Sequence, residues 1–390
     1  MSSNPVEVCR IEAKQKHPRR DRLDLIQVKG WQAIVGLDQF QVGELVVFVP
    51  PDSVLEEKFA EEKGVRNYLK ERLGDDGKKH LVVGQIKLGG EPSFGLVIPA
   101  DPEWTEGLDV SKILGIEKFV PPARRVSMKG QGKARIRKHE NPEFHKFTDI
   151  EHFKNYNKIF EEGEIVVVTE KIHGSNFRVG LSSSFLFRIL GEEFHLRHFG
   201  KKWWNFAFSG NVLIGSRQVQ RDFQGLTDHR PCSYRDWDSF EYHLPLKDSR
   251  VIRCLLAEIF KFGRKTAILY GEIFGPKIQK GFDYGRTETD YAAFDMKIDG
   301  EWVDANDFLD RQRTFRFKVV PLLYCGRFSK SILKHSEGET LAGGKHIREG
   351  CVIRPVRERI DPKLGRVILK VVGDGFTFRK GREEQDTTDI

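Results

Sequence analysis

The sequence has no pair of cysteines spaced CxxC, and its five cysteines (Cys9, Cys232, Cys254, Cys325, Cys351) are odd in number and scattered. That spacing argues for reduced thiols in an intracellular compartment and against a structural zinc site. The twelve histidines show no metal-ligand spacing either. No apolar run approaches the ~18 residues that a membrane-spanning helix needs. The start, MSSNPVEVCRIEAKQKHPRR, has no apolar stretch followed by a small-residue cleavage site. No strand-like run is followed by GxGxxG. The nearest approach to a phosphate loop, from Gly338 to His346, has its lysine (Lys345) one place late and no Ser or Thr after it. A Rossmann dehydrogenase and a P-loop ATPase are therefore disfavoured. A cytoplasmic or nuclear protein is expected, with no membrane association and no obligate protein partner.

What is present is charge of one sign in one place. The 390 residues carry 65 Lys+Arg against 57 Asp+Glu, a net +8, and residues 118–140 alone hold +7. That stretch also contains Pro121-Pro122, Gly130 and Gly132, the marks of a linker or exposed loop. A basic segment at a domain boundary can neutralise a polyanion by releasing counterions. Arg124, Arg125, Lys133, Arg135, Arg137 and Lys138 are its candidate contacts to nucleic acid; a solvated linker is the alternative.

Along the chain, residues 1–117 read as short strands at 6–11, 25–28, 31–35, 45–49, 81–88 and 95–98, with an amphipathic helix over 55–73 interrupted by Gly64. Such a run suits a small barrel of the OB type. A basic linker follows at 118–140, then a second domain of alternating strands and helices at 141–380, and a polar tail at 381–390. The expected class is α+β: an OB-type barrel, then antiparallel sheets with flanking helices. Residues 181–210 are rich in aromatic and basic side chains, suggesting a hairpin whose rings are mostly core.

The chemistry is concentrated after the apolar run that begins at Ile165. This run should be a buried strand delivering Glu170 and Lys171 to a Gly174-Ser175-Asn176 turn. A lysine desolvated at a strand end has a lowered pKa and a free amine. Gly174 would let the backbone approach a bulky ligand, and Ser175 and Asn176 offer short polar contacts. Further on, Glu272 sits among glycines and apolar residues, Phe294 is an aromatic on a strand, Glu349 opens a strand and Lys370 ends one.

The order Lys171-Ile172-His173-Gly174-Ser175-Asn176, Tyr270-Gly271-Glu272-Ile273-Phe274-Gly275, Ala293-Phe294-Asp295, Glu349-Gly350-Cys351-Val352-Ile353-Arg354-Pro355 and Val367-Ile368-Leu369-Lys370 resembles the covalent nucleotidyltransferases. Among them it is most similar to the ATP-dependent, nick-sealing RNA ligases. Phe144 to Asn155 resembles the segment leading into their adenylyltransferase domain. His17-Pro18, Asp21-Arg22-Leu23 and Val42 to Phe48 resemble the OB domain that precedes it in one branch. Position 173 is His, where related DNA ligases and capping enzymes commonly have Asp; His there favours the RNA ligases.

The resemblance implies that Lys171 attacks the α-phosphate of ATP, forming lysyl-AMP. Glu170 would read the adenine amino group and Phe294 would stack on the ring. Ile172, Gly174, Asn176 and Arg178 would complete the nucleotide pocket, and Arg217 would contact the ribose and the incoming 5′-phosphate. Glu272 would hold a ribose hydroxyl or, with Glu349, the water shell of Mg2+ or Mn2+. Lys370 would neutralise the α-phosphate and Arg366 would reach the leaving phosphates. The implied partner is RNA, in particular a nicked duplex. The family's last motif often carries a second lysine two places after the first; here that position is Val372, so either another cation, Arg366 or one from the basic linker, supplies the charge, or the first step is slow. An mRNA-capping guanylyltransferase, which normally carries its OB domain after the last motif, and a non-catalytic OB-containing RNA-binding protein are the alternatives.

Overall fold

Alternation of buried and half-buried residues marks Trp31–Gly36 as a strand with one face in a core, and the rest of the N-terminal part is built likewise. The computed structural model describes residues 5–122, 141–183, 212–217, 220–221 and 241–377. Arg124, Arg125, Lys133, Arg135, Arg137 and Lys138, most of the aromatic stretch 181–210 and the polar tail lie outside the described residues.

The first part contains strands β1 (Glu7–Lys16), β2 (Leu23–Val28), β3 (Trp31–Gly36), β4 (Leu45–Val49), β5 (Ser53–Leu55), β6 (Leu69–Leu73), β7 (Lys79–Val83), β8 (Gln85–Leu88), β9 (Glu91–Phe94), β10 (Leu96–Pro99) and β11 (Glu117–Lys118). One sheet runs β10-β4-β1-β2-β3, a second β11-β5-β7-β6, and β8-β9 is a separate hairpin. The helix expected over 55–73 is much shorter. It spans Glu57–Glu62, and Gly64, at φ +66°, ends it in the left-handed conformation glycine tolerates. Leu69–Leu73 then joins the sheet, with Leu69 opposite Val83. The apolar spacing fitted a helix, but ladder pairing with β7 prevails over it. The single strand expected over 81–88 likewise splits at Gly84.

The second part contains β12 (Glu151–His152), β13 (Ile165–Lys171), β14 (Ser175–Ser182), β15 (Val212–Ser216), β16 (Gln220–Arg221), β17 (Thr266–Phe274), β18 (Asp290–Ile298), β19 (Glu301–Trp302), β20 (Leu322–Arg327), β21 (Gly350–Pro355), β22 (Ile360–Asp361), β23 (Gly365–Arg366) and β24 (Leu369–Val372). They form a five-stranded sheet, β12-β24-β21-β13-β20, and a six-stranded sheet, β16-β15-β14-β17-β18-β19. Helices Ser249–Leu256 and Ala305–Phe315 cover the six-stranded sheet through Val251, Leu255 and Phe308. The α+β expectation holds. Among the described residues no helix is long and apolar enough to cross a membrane.

Two junctions position the site. The chain passes from the five-stranded sheet to the six-stranded one across residues 172–174, between β13 and β14. The N-terminal part meets the second part at the segment around β12: the Lys118 ammonium pairs with Glu151, Lys29 donates to the Asn155 carbonyl at 3.0 Å, and the Trp31 ring lies 4.5 Å from that of His152.

Candidate active site where the two sheets meet

Val166, Val167 and Val168 are fully buried, and each contributes about 1.5–3 kcal/mol relative to exposure. That anchoring fixes β13 and aims its last residue. Lys171 pairs in register with Gly350 of β21, so Glu349, just before that strand, faces the lysine, with Nζ to Oε1 at 2.7 Å. On the other sheet Asn176 pairs with Glu272, and the Glu272 carboxylate feels both Lys171 and Glu349.

The electrostatics differ from the sequence expectation. Burial alone would lower the Lys171 pKa, but Glu349 and Glu272 outweigh it, so the ammonium is held above its ordinary value. The lowered pKa expected from desolvation is therefore reversed by the two carboxylates. Desolvation pushes Glu272 up to about 8, reinforced by Glu349 and opposed by Lys171 and Arg217. Glu349 goes the other way, down to about 2: Lys171 and His173 overcome its own burial. Lys370 has a lowered pKa from burial and from the Lys171 charge. Arg217 follows the end of β15, close enough to Glu272 to couple with it, and pairs with Asp149. Lys171, Asn176, Glu272, Glu349, Lys370 and Arg217 thus converge, although they come from both sheets.

Other candidates are placed differently. The Glu170 carboxylate, expected to face a base, is buried and accepts from the Thr340 hydroxyl and the Leu341 N–H (2.8 Å), with Arg348 at 3.7 Å. Both oxygens thus hold the 338–347 loop against β13. Arg178 is a core residue of β14: it donates to the Ser216 and Phe144 carbonyls and stacks on the Phe144 ring. Arg366 is buried too, pairing with Asp295 and Glu358 and lying 3.9 Å over the Trp302 ring. Its charge is already neutralised, which removes it as a cation for leaving phosphates. Gly174 is tight against protein rather than ligand, since a Cβ there would sit 2.2 Å from the Ile273 carbonyl oxygen. The Ile172 side chain is core beside Phe274 and Tyr284, and Phe294 is half-buried at the edge of that cluster, 4.8 Å from the Phe147 ring.

Several neighbours have no motif to reveal them. The backbone N–H of His173 donates to the Tyr284 hydroxyl at 2.8 Å, and Gln279 donates to the Gly174 carbonyl at 2.8 Å. The His173 ring stands edge-on between Phe282 and Phe376. For this ring the only sequence signal is the His that stands in place of Asp.

A cavity of about 240 Å3 opens from this cluster toward the N-terminal part, lined by His173, Glu349 and Lys370 on one side and by Trp31 and Phe94 on the other. Residues 164–372, more than half of the chain, match the family model for RNA ligase. The chain belongs to the RNA ligase family. Residues 6–100 match a model for an OB-fold domain, the barrel expected from the strand pattern. No curated protein sequence matches this RNA ligase significantly. Solved structures of the Naegleria gruberi RNA ligase share its fold. A variant with ATP and Mn is 18% identical over 95% of this chain and 97% of that one, with a TM-score of 0.63. A variant with AMP and Mn is 18% identical over 96% and 98%, with a TM-score of 0.65. The enzyme with PPi is 19% identical over 96% and 97%, with a TM-score of 0.63.

Proposed function

We propose that this RNA ligase uses ATP to join a 3′-hydroxyl to a 5′-phosphate, acting on nicks in duplex RNA through a covalent lysyl-AMP. The observation that carries the reading is Lys171, delivered by β13 to two carboxylates, Glu349 and Glu272, with Lys370 and Arg217 close by. The ATP and AMP complexes of the Naegleria enzyme agree with it.

The Lys171 amine attacks the α-phosphorus of ATP. A P–N bond forms, the bond to the bridging oxygen breaks, pyrophosphate leaves and the amine sheds its proton. An oxygen of the RNA 5′-phosphate then attacks the same phosphorus, the P–N bond breaks and AMP caps the 5′ end. The 3′-hydroxyl attacks the RNA phosphorus, and AMP departs as the phosphodiester closes. Lys370 neutralises the α-phosphate, Arg217 holds the incoming 5′-phosphate, and Phe294 offers a ring to the adenine.

A divalent cation fits this site. The buried Asn176 Oδ1 lacks a hydrogen-bond partner, and Glu272 is driven up to about 8 by burial beside another carboxylate, which are features of a centre that can take a further positive charge. Among the described residues no cluster of three or more His, Cys, Asp or Glu is arranged to grip a metal, so Glu272 and Glu349 would hold Mg2+ or Mn2+ through its water shell. Such an ion, when bound, screens phosphate charge and makes the Lys171 ammonium easier to deprotonate.

A duplex RNA with one nick, 5′-labelled at the nick, tests the reading. Ligation with ATP and Mn2+ should protect the label from phosphatase and lengthen the strand. Efficient lysine adenylylation without any joining of RNA ends would contradict the substrate assignment.

A further inference from the structure

Lys370 lies on β24, and residue 372, two places on along the same face, is Val372 rather than a second cation. Both line the 240 Å3 cavity beside Glu349. With Arg217 on the other sheet and paired with Asp149, β24 brings Lys370 as its one cation to the charge of several phosphates, so the neighbouring cations matter. Most are engaged. Arg366 is held by Asp295 and Glu358, Lys118 by Glu151, and Lys29 by Glu7 and the Asn155 carbonyl.

Lys154 differs. It belongs to the short 3-10 turn Phe153–Tyr156 that follows β12, two residues after His152, whose ring approaches the Val372 N–H. Its side chain lines the same cavity. The ammonium lies 4.7 Å from the Trp31 ring and 5.5 Å from the Phe94 ring of the OB domain; burial lowers its pKa, Asp374 in the same cavity raises it from a distance, and among the described residues it forms no ion pair. Aromatic faces hold a cation in place without neutralising it, as a carboxylate would.

We propose that Lys154, held by Trp31 and Phe94, is the second phosphate-binding cation of this cleft and does the work that Val372 cannot. Its ligand is a phosphate oxyanion next to the one at Lys370, either on the β/γ-phosphates of ATP or on the RNA 5′ end. The OB domain thereby contributes to the site indirectly, by fixing a side chain of the catalytic domain. The inference rests on the reading of the cleft as a site for ATP and 5′-phosphate.

The test compares full-length Lys154→Met, Lys154→Arg and the double variant Lys154→Met/Val372→Lys. Two readouts are needed: calorimetric affinity for Mn·ATP, measured in a Lys171→Met background so that no covalent product forms, and the separate rates of lysine adenylylation and AMP transfer to a 5′-phosphorylated RNA. Lys154→Met should weaken Mn·ATP binding about tenfold and slow adenylylation if the ATP phosphates are the ligand. It should leave both unchanged and slow only the transfer if the RNA phosphate is. In either case Lys154→Arg and the double variant should recover most of the loss. Normal affinity and normal rates in Lys154→Met would overturn the proposal, as would a defect that Val372→Lys does not repair. Should Lys154→Met melt early, Lys154→Gln serves the same comparison. Failure of the parent chain to bind Mn·ATP or to form lysyl-AMP would instead count against the function proposed above.

Discussion

Lys171 and Glu349 face each other across the β13–β21 ladder, Nζ to Oε1 at 2.7 Å. The contact holds the lysine as an ammonium and its partner as a carboxylate. An amine so held is not a nucleophile. On the proposed mechanism its release would require positive charge to arrive near Glu349 and Glu272, which would link the start of the reaction to loading of the site.

That link has a pH signature. Glu272 titrates at about 8, above its ordinary value, so its carboxylate form gains population only as pH rises toward and past that point. Metal affinity of the ligand-free protein should therefore climb between about pH 7 and pH 9 in titration calorimetry. Glu272→Gln should flatten that climb. A profile that stays steep in the variant would assign the titration to another group.

Glu349 has the opposite sign. Its folded pKa of about 2 lies below the unfolded value, so its contribution to stability is present above about pH 4.5 and lost as pH falls toward 2. Melting temperature against pH should fall on the acid side less steeply in Glu349→Gln than in the parent. Parallel acid limbs would show that the pair contributes little to stability.

Arg366 is expected to matter for folding rather than for nucleotide. Arg366→Ala leaves Asp295 and Glu358 without one of their buried partners, a loss of about 3–5 kcal/mol for a broken buried pair. Denaturant melts should show that loss, while surviving folded protein binds Mn·ATP with parent affinity. A stable variant with weakened ATP binding would return Arg366 to the phosphate site.

Gly174→Ala probes the crossing between the two sheets. The added Cβ would meet the Ile273 carbonyl at 2.2 Å, so β14 must shift at a cost of about 1–3 kcal/mol, and Asn176 and Glu272 would move with it. Stability and adenylylation should fall together; a variant with parent melting behaviour would show that the turn has room.

Outside the described residues, the linker expectation concerns charge alone. Neutralising Arg135, Arg137 and Lys138 should reduce the slope of log affinity for RNA against log salt by roughly 2–3, since each phosphate left without its cation lowers it by about 0.7–0.9. An unchanged slope would mean that these charges face solvent.

The barrel, the β13 strand and the Lys171, Glu272, Glu349 and Lys370 constellation are legible because each rests on a local pattern: an apolar run, a strand end, a motif in order. What eludes the sequence depends on partners distant in the chain. The resemblance gives Glu170 a base contact, while strand alternation turns it to the side opposite Lys171, where Thr340 and Leu341 take its oxygens. Arg178 and Arg366 are cations near motifs, and only the fold shows that Phe144, Ser216, Asp295 and Glu358 engage them. The helix over 55–73 fails for a related reason, since pairing of Leu69–Leu73 with β7 is invisible in local periodicity. Lys154 lies in the Phe144 to Asn155 segment that the resemblance picks out, but nothing local singles out its side chain, because its two aromatic partners are distant in the chain.

The most direct measurement is to mix the protein with α-labelled ATP and Mg2+ or Mn2+ and examine the denatured chain for acid-labile, base-stable label. The account expects label in the parent and none in a folded Lys171→Ala variant. Label retained in that variant would contradict the assignment of Lys171 as nucleophile. Preferential labelling by GTP would favour a capping-type activity. No label with either nucleotide would contradict the covalent mechanism altogether.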